Sequence, residues 1–202
     1  MGELRLTAST YKKIITLLND RGVAYRILEH QAEGRSAMVS AIRGNNPSQA
    51  LKALVIVIRG GGRGRRMVLA VVPGNRQLEM KRLLTALGAQ KGRFAPPEEA
   101  EAITGCVMGA VPPFSFSPDL SVIADAAIRD NAEVVFNAGL LGRSLFMATE
   151  DYVEVVDPLF AHIAGTAIDL VGGLHPPLPT PISSTGTAAA TRARKPDRSA
   201  QR

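Results

Sequence analysis

Residues 46–58 read Asn-Pro-Ser-Gln-Ala-Leu-Lys-Ala-Leu-Val-Ile-Val-Ile, and this stretch carries one cation into the most strand-prone run of the chain. All six residues at 53–58 are apolar and four of them are β-branched, which predicts a strand buried on at least one face. Lys52 lies at the start of that strand. A lysine there either extends from the sheet edge into solvent or is held over a pocket as a fixed positive charge. The run alone leaves both interpretations open.

Length and composition are typical of one globular domain with a tail. The chain has 202 residues, of which 46% are hydrophobic, and this is enough for one substantial core. No run approaches the roughly 18 apolar residues that a membrane span needs, and the N-terminus lacks the apolar core of a signal peptide. We therefore expect a cytoplasmic protein without a membrane partner.

The residue types that bind metals are few and scattered. Cys106 is the one cysteine, which excludes an internal disulfide, and the histidines stand far apart at positions 30, 162 and 175. Such spacing does not form a zinc motif. We expect neither a metal nor another cofactor.

The net charge of +6 is concentrated near the C-terminus. Residues 172–202 hold five basic residues against Asp197, a net +4, so the rest of the chain carries only +2. Their Pro, Ser, Thr, Ala and Arg content cannot bury enough apolar surface to fold. We predict one folded domain at residues 4–170 and a disordered basic tail at residues 173–202. The tail would add weak, salt-sensitive attraction to phosphates, and DNA is not expected as a partner.

Apolar runs alternate with helical patterns along the chain. A glycine-rich loop at residues 59–66 joins the Lys52 strand to the next strand as a hairpin, which excludes a wholly parallel sheet. The predicted fold class is α/β, with a mixed, largely antiparallel sheet surrounded by helices. Strands are predicted at residues 23–28, 53–58, 67–72, 120–124, 132–136 and 144–148, with a turn at 137–139. Helices are predicted from Ser9 or Thr10 to Gly22, at 36–44, 78–87 and 97–105, and from 149 onward.

A second distinctive stretch, residues 105–114, reads Gly-Cys-Val-Met-Gly-Ala-Val-Pro-Pro-Phe. Its glycines and prolines favour an ordered loop over a helix or a central strand. Glycine lets backbone amides approach a ligand closely and proline stiffens the frame, so the loop could offer N–H donors to a carbonyl or hydroxyl. A connector that is packed for shape alone fits the same residues. Cys106 is predicted to be a small buried residue.

Four features together resemble the YbaK/prolyl-tRNA synthetase-associated domain, a family of aminoacyl-tRNA deacylases active in prolyl-tRNA editing. They are residues 48–54 with Lys52, the strand end at 69–74, the loop at 104–113, and Asp125. Lys52 matches the functional lysine of the family, and residues 109–113 match its Gly-x-x-x-Pro loop. The glycine-rich insertion near residue 61 and the arginine-rich tail depart from the family pattern.

The resemblance implies a trans-editing hydrolase that deacylates mischarged aminoacyl-tRNA, expected to be tRNA-Pro carrying a small amino acid. Lys52 would engage ester or terminal adenosine oxygens, and the terminal ribose hydroxyl of the tRNA would assist hydrolysis. The chain shows no convincing Ser-His-Asp or Cys-His arrangement that would supply a protein nucleophile. Backbone amides of three loop residues would hold the aminoacyl carbonyl: Gly109, Ala110 and Val111. The residues implied in substrate binding are Pro113, His30, Ser36, Asp125 and Asn137.

Several alternatives stay open. His30 fits a loop or core histidine as well as a functional one, and Asp125 is expected to orient or support the structure rather than to abstract a proton. The resemblance implies the acceptor end of aminoacyl-tRNA as the partner, and it leaves docking on a prolyl-tRNA synthetase open. The competing function is a non-catalytic aminoacyl-tRNA- or protein-binding module that kept the pocket, and the retention of both Lys52 and residues 109–113 argues against it.

Overall fold

The computed structural model describes residues 2–33, 36–62 and 64–167, and for residues 2–9, 36 and 37 it describes the backbone only. The predicted domain end at residue 170 and the predicted tail lie outside these residues and stay predictions. The helices are α1 (Gly2–Asp20), α2 (Ser36–Arg43), α3 (Met80–Ala86), α4 (Pro97–Thr104), a 3₁₀ helix (Ala126–Asp130) and α5 (Thr149–Val156). The strands are β1 (Tyr25–Glu29), β2 (Leu51–Arg59), β3 (Arg65–Pro73), β4 (Lys91–Phe94), β5 (Leu120–Asp125), β6 (Glu133–Leu140), β7 (Arg143–Ala148) and β8 (Leu159–Ala161).

These strands form two sheets within the described part of the chain. One has the order β1-β7-β6 and is antiparallel, and the other has the order β4-β2-β3-β5-β8. In the second sheet β2 runs antiparallel to β3 and β4, whereas β5 runs parallel to β3 and β8. The predicted α/β fold class, mixed and largely antiparallel, is confirmed, and the pairing of Arg59 with Arg65 confirms the hairpin. The sheets meet at a parallel bridge between Ala50 and Val135.

Strand β2 is buried on both faces, which explains its uninterrupted apolar sequence. Val55 faces one core cluster together with Leu18 of α1, and Ile56 faces a second cluster together with Leu83 of α3. Each such side chain stabilises the fold by about 1.5–3 kcal/mol relative to an exposed position. Because the side chains alternate between the two clusters, a slip of one residue would exchange them, so the register of β2 is fixed. Lys52, the second residue of β2, is therefore held in place by the core.

The turn after β3 packs directly against the start of β2. The N–H of Gly74 donates to the carbonyl of Ala50 at 2.6 Å. A Cβ atom on Gly74 would lie 2.6 Å from the carbonyl oxygen of Pro47 and 2.9 Å from Cβ of Ala50, closer than real Cβ atoms come. Glycine is therefore required here, and it brings the turn at residues 73–76 beside Lys52.

One local prediction is wrong, and two short strands, β4 and β8, are not predicted. Helix α1 begins at Gly2 and not at Ser9 or Thr10, because a residue suited to capping can also lie inside a helix. Strand β4 was not predicted, since its sequence Lys-Gly-Arg-Phe has no strand pattern and its conformation comes from pairing with β2. No helix in the described part of the chain is long and apolar enough to cross a membrane.

The turn predicted at residues 137–139 is also wrong, because β6 continues through it. The register against β7 shifts between Asn137 and Leu140, and Gly139 takes a φ of 82° at this bulge. A Cβ atom on Gly139 would lie 3.2 Å from the backbone nitrogen of Tyr11, so the bulge also admits the close approach of α1. Asn137 is consequently a strand residue with a fixed direction and not the tip of a turn.

Candidate active site

A cavity of about 250 Å³ lies beside the first half of β2. Strand β4 pairs with β2 only from Ile56 to Arg59, so the earlier residues of β2 lie beyond the end of β4. The space left at that edge is closed by α2, α4, β6 and the loop at residues 105–114, which is called the glycine loop below. The cavity is lined by Val39, Arg43, residues 50–55, Phe94, Ala95, Ala100, Met108, Gly109, Val111 and Asn137.

Lys52 lies in the wall of this cavity and is half-buried. Its ammonium group donates a hydrogen bond to the backbone carbonyl of Arg76, in the turn that Gly74 fastens to β2. Burial lowers the pKa of Lys52, because desolvation disfavours the charged form. An ammonium group has three donors, so one bond to a carbonyl orients the charge and leaves further donors for a ligand.

The glycine loop reaches the cavity through a tight turn at residues 107–110. The N–H of Ala110 donates to the carbonyl of Val107 at 3.0 Å, and Gly109 takes a φ of 85° in the third position. A positive φ at that position is the reason for glycine. Ala110 is fully buried and its N–H is engaged within this turn, whereas Gly109 and Val111 line the cavity.

Pro113 joins the glycine loop to α5. It is buried, and its carbonyl accepts a hydrogen bond from the hydroxyl of Tyr152 at 3.1 Å. The ring of the next residue, Phe114, lies 5.8 Å from that of Tyr152 and 5.4 Å from that of Phe136. Burial raises the pKa of Tyr152, which therefore stays a neutral donor. Pro113 thus anchors the loop and is not part of the cavity lining described above.

Asn137 connects the glycine loop to β6. Its side-chain NH₂ group donates to the carbonyl of Gly109 at 2.7 Å and to the carbonyl of Glu33 at 3.3 Å. Its Oδ1 atom accepts from Nη2 of Arg43 at 2.5 Å, and Nε of the same arginine donates to the hydroxyl of Ser144 at 2.6 Å. Desolvation lowers the pKa of Arg43 to about 10, so the guanidinium stays charged at neutral pH. A half-buried cation therefore orients the amide that holds Gly109.

His30 contacts the network of Asn137, Arg43 and Ser144 through Ser144. Its Nδ1 atom lies 2.7 Å from the carbonyl of Gln31, and its Nε2 atom lies 2.6 Å from Oγ of Ser144. Since a carbonyl only accepts, Nδ1 donates, and in the neutral ring Nε2 accepts from the Ser144 hydroxyl. His30 therefore touches a residue of the network and not the cavity lining. Ser36 begins α2, and its side chain is outside the described residues.

Asp125 has a structural environment. The residue is 1% exposed, and its carboxylate accepts three backbone hydrogen bonds. The donors are Ala127 at 3.0 Å, Ile163 at 2.8 Å and Ala164 at 2.7 Å. These bonds fix the start of the 3₁₀ helix and the segment after β8. The geometry agrees with the expectation that Asp125 supports the structure and does not abstract a proton.

The structure thus brings Lys52, Gly109, Val111 and Asn137 to one cavity, whereas its lining does not include Ala110, Pro113, His30 or Asp125. Arg43 and Ser144 were missed by the sequence reasoning. A basic residue in the last turn of a short helix is ordinary, because it suits the helix dipole, so nothing in the sequence marked Arg43. No group of three His, Cys, Asp or Glu side chains in the described ranges is arranged to hold a metal ion.

Comparison with known proteins identifies the family. Residues 30–155 match the model of the aminoacyl-tRNA editing domain. The multifunctional Ser/Thr-tRNA deacylase ProXp-y of Escherichia coli strain K12 is 36% identical over 168 residues, which are 83% of this chain and 100% of that protein. EbsC of Enterococcus faecalis, described as a candidate Cys-tRNA(Pro)/Cys-tRNA(Cys) deacylase, is 27% identical over 48% of this chain and 58% of its own length.

Two solved structures share the fold. The hypothetical protein APE2540 matches with a TM-score of 0.68 at 23% identity, over 76% of this chain and 99% of its own. A candidate trans-editing enzyme for prolyl-tRNA synthetase matches with a TM-score of 0.65 at 22% identity, over 78% of this chain and 98% of its own. The resemblance drawn from Lys52 and residues 109–113 is confirmed, as is the enzyme class, an aminoacyl-tRNA deacylase. The chain belongs to the aminoacyl-tRNA editing domain family.

Proposed function

We propose that the protein acts in trans on mischarged tRNA-Pro carrying a small amino acid, and hydrolyses the aminoacyl ester. The observation that carries this proposal is the convergence of Lys52, Gly109 and Asn137 on one cavity. The named activities of the E. coli and E. faecalis relatives, on serine, threonine and cysteine esters, support a small aminoacyl group. The proposal places the protein in the cytoplasm, with charged tRNA.

The size of the cavity supports a small aminoacyl group. Pockets that enclose a drug-sized ligand usually measure about 300–1,000 Å³, whereas this one measures about 250 Å³. It suits an amino acid with a short side chain, with the terminal nucleotide outside. Such selection has a physical purpose, because one methylene is worth only about 1–3 kcal/mol and a synthetase cannot fully exclude smaller amino acids.

The reaction needs no protein nucleophile. Water attacks the ester carbonyl carbon, the bond to the terminal ribose oxygen breaks, and that oxygen takes up a proton as the free amino acid leaves. The protein has to orient the ester and stabilise the negative charge that develops on the carbonyl oxygen. In this proposal the amides of Gly109 and Val111 bind that oxygen, Lys52 binds ester or adenosine oxygens, and the neighbouring ribose hydroxyl positions the water.

A deacylation panel tests the proposal. tRNA-Pro charged with serine, threonine, alanine, cysteine or proline would be mixed with the protein, and release of each amino acid would be followed against the uncatalysed rate. We expect faster release of the small amino acids than of proline. The same amino acids on their cognate tRNAs show whether the tRNA is also selected.

If the protein accelerates release from none of these tRNAs but still binds them in a filter assay, the proposal is overturned in favour of a non-catalytic binding module. Docking on a prolyl-tRNA synthetase stays a prediction. It is measured in the same assay by adding the synthetase, which should lower the apparent KM for tRNA-Pro if the two proteins associate.

A further inference from the structure

We infer that Arg43 and Ser144 are positioning residues, which hold the Asn137 amide so that it fixes the glycine loop at the cavity. This inference rests on the proposed function for its effect on catalysis, but the contacts themselves do not depend on it. Side chains from α2, β6 and β7 form a chain of hydrogen bonds that ends at the loop carrying the proposed oxyanion donors.

The orientation of the Asn137 amide follows from its partners. A guanidinium group only donates, so the atom that faces Arg43 must be the carbonyl oxygen Oδ1. The NH₂ group then points to the carbonyls of Gly109 and Glu33, which only accept. Both NH₂ hydrogens are thereby used. A flipped amide would set NH₂ against the guanidinium and a carbonyl against a carbonyl, so Arg43 selects the orientation that holds the loop.

Arg43 is in turn held on a second side. Its Nε–H donates to Ser144, directly across the β6–β7 ladder from Asn137. The two bonds therefore use one edge of the planar guanidinium and fix its rotation, which a single bond would not do. The Asn137 residue is only 8% exposed, so loss of Arg43 would leave a nearly buried carbonyl oxygen without this donor.

A hydrogen bond to the carbonyl of Gly109 is an effective way to fix the position of the glycine loop. Gly109 has a positive φ and no side chain, so this residue cannot hold its own position by side-chain packing. A hydrogen bond to its carbonyl fixes the plane of the peptide that it shares with Ala110. Displacement of reacting groups by about 1 Å can cost about a hundredfold in rate, so a loosened loop is expected to lower kcat.

The single cysteine of the chain gives a readout that needs no tRNA. Cys106 lies at the base of the glycine loop and is buried, and burial raises the pKa of its thiol while a hydrogen bond with Thr10 lowers it. Alkylation by iodoacetamide under native conditions therefore reports local opening of the loop. Arg43→Gln and Asn137→Ala are each expected to accelerate this alkylation about tenfold or more, because each removes a hydrogen bond of a charged or nearly buried group.

Two control variants separate this effect from general destabilisation. Asn131→Ala removes an amide that bridges the hydroxyl and carbonyl of Ser48, at 2.8 and 3.1 Å, and leaves the glycine loop untouched. Arg129→Gln removes an arginine that lies 3.7 Å over the ring of Phe160. Neither is expected to change the alkylation of Cys106. Ser144→Ala keeps Arg43 but removes one of its anchors, and is expected to act in the same direction with a smaller effect.

The kinetic test is a double-mutant cycle. Arg43→Gln and Asn137→Ala should each lower kcat by about tenfold to a hundredfold with KM little changed, and the double variant should be no slower than Asn137→Ala alone, because the two residues act in series. Additive losses, or a change confined to KM, would show that Arg43 contacts the substrate directly and would overturn the inference. Unchanged alkylation of Cys106 in both single variants would overturn it as well, whatever the protein hydrolyses.

Discussion

The ammonium group of Lys52 donates a hydrogen bond to the backbone carbonyl of Arg76. Arg76 lies in the turn after β3, which is also joined to the start of β2 by the hydrogen bond from Gly74 to Ala50. A lysine at the start of a strand usually extends into solvent. Here the turn after β3 holds it in the cavity wall instead. Of the two interpretations that the sequence left open, the geometry favours the positioned charge.

The first prediction concerns the alkaline limb of the pH profile. Burial lowers the pKa of Lys52 below the ordinary lysine value of about 10.4. If the charged form is needed, kcat/KM should fall as pH rises through that lowered pKa, after subtraction of uncatalysed ester hydrolysis. In Lys52→Arg the fall should move to higher pH, because the ordinary pKa of arginine lies about two units above that of lysine. An unchanged alkaline limb in Lys52→Arg would assign it to another group.

The stability contributed by Lys52 should move in the opposite direction. Between the lowered pKa of the folded state and the ordinary pKa of the unfolded state, the unfolded chain binds more protons at this residue. The contribution of this group to the free energy of unfolding therefore rises with pH in that window. Urea unfolding of wild type and Lys52→Met across the window measures this contribution. The free energy of unfolding of the wild type should rise relative to that of Lys52→Met as pH rises, and a relative fall would show the opposite sign.

The second prediction concerns Gly109. A valine there would have to adopt a φ near 85°, which costs about 1–3 kcal/mol or shifts the turn and its amides. We expect Gly109→Val to lower kcat by about a hundredfold. Gly22 has a φ of 65° with open space around it at the end of α1, so Gly22→Val imposes similar strain away from the cavity. Equal losses of kcat in both variants would refute a specific role for the loop.

The third prediction concerns Asp125. Asp125→Ala leaves two buried backbone N–H groups and one partly buried N–H group without their acceptor, and should lower the free energy of unfolding by about 3 kcal/mol or more. The exposed Asp119→Ala variant should change it by less than about 0.5 kcal/mol. Denaturant titration measures both. A stable Asp125→Ala variant without activity would instead place this carboxylate in the chemistry.

More of the fold than of the candidate site could be predicted from the sequence. The strands at β2 and β3 and the hairpin between them follow from apolar, β-branched runs on either side of a glycine-rich loop. Strand β4 has no such pattern, because only its pairing with β2 makes it a strand. At Gly139 the sequence predicts a turn where the structure has a bulge, since the sequence shows the glycine but not the helix that approaches it.

In the site, too, residues in local motifs could be predicted and residues joined by tertiary contacts could not. Lys52 and Gly109 stand in local motifs, so they could be singled out from the residues around them. Arg43 and Ser144 lie 101 positions apart and meet only after α2 has packed on the smaller sheet. The engaged N–H of Ala110 is likewise a property of the folded turn. Contacts of this kind depend on tertiary packing, which leaves no local pattern in the sequence.

The most direct test of the proposed mechanism is the single-turnover rate constant of Lys52→Ala on the mischarged tRNA that wild type deacylates fastest. Removing a charge beside a developing oxyanion should slow hydrolysis about a hundredfold, the equivalent of about 3 kcal/mol. The hydrogen bond to Arg76 is worth only about 1 kcal/mol, so Tm should fall by about 2–4 °C. A Lys52→Ala protein that deacylates this tRNA at the wild-type rate would contradict the mechanism.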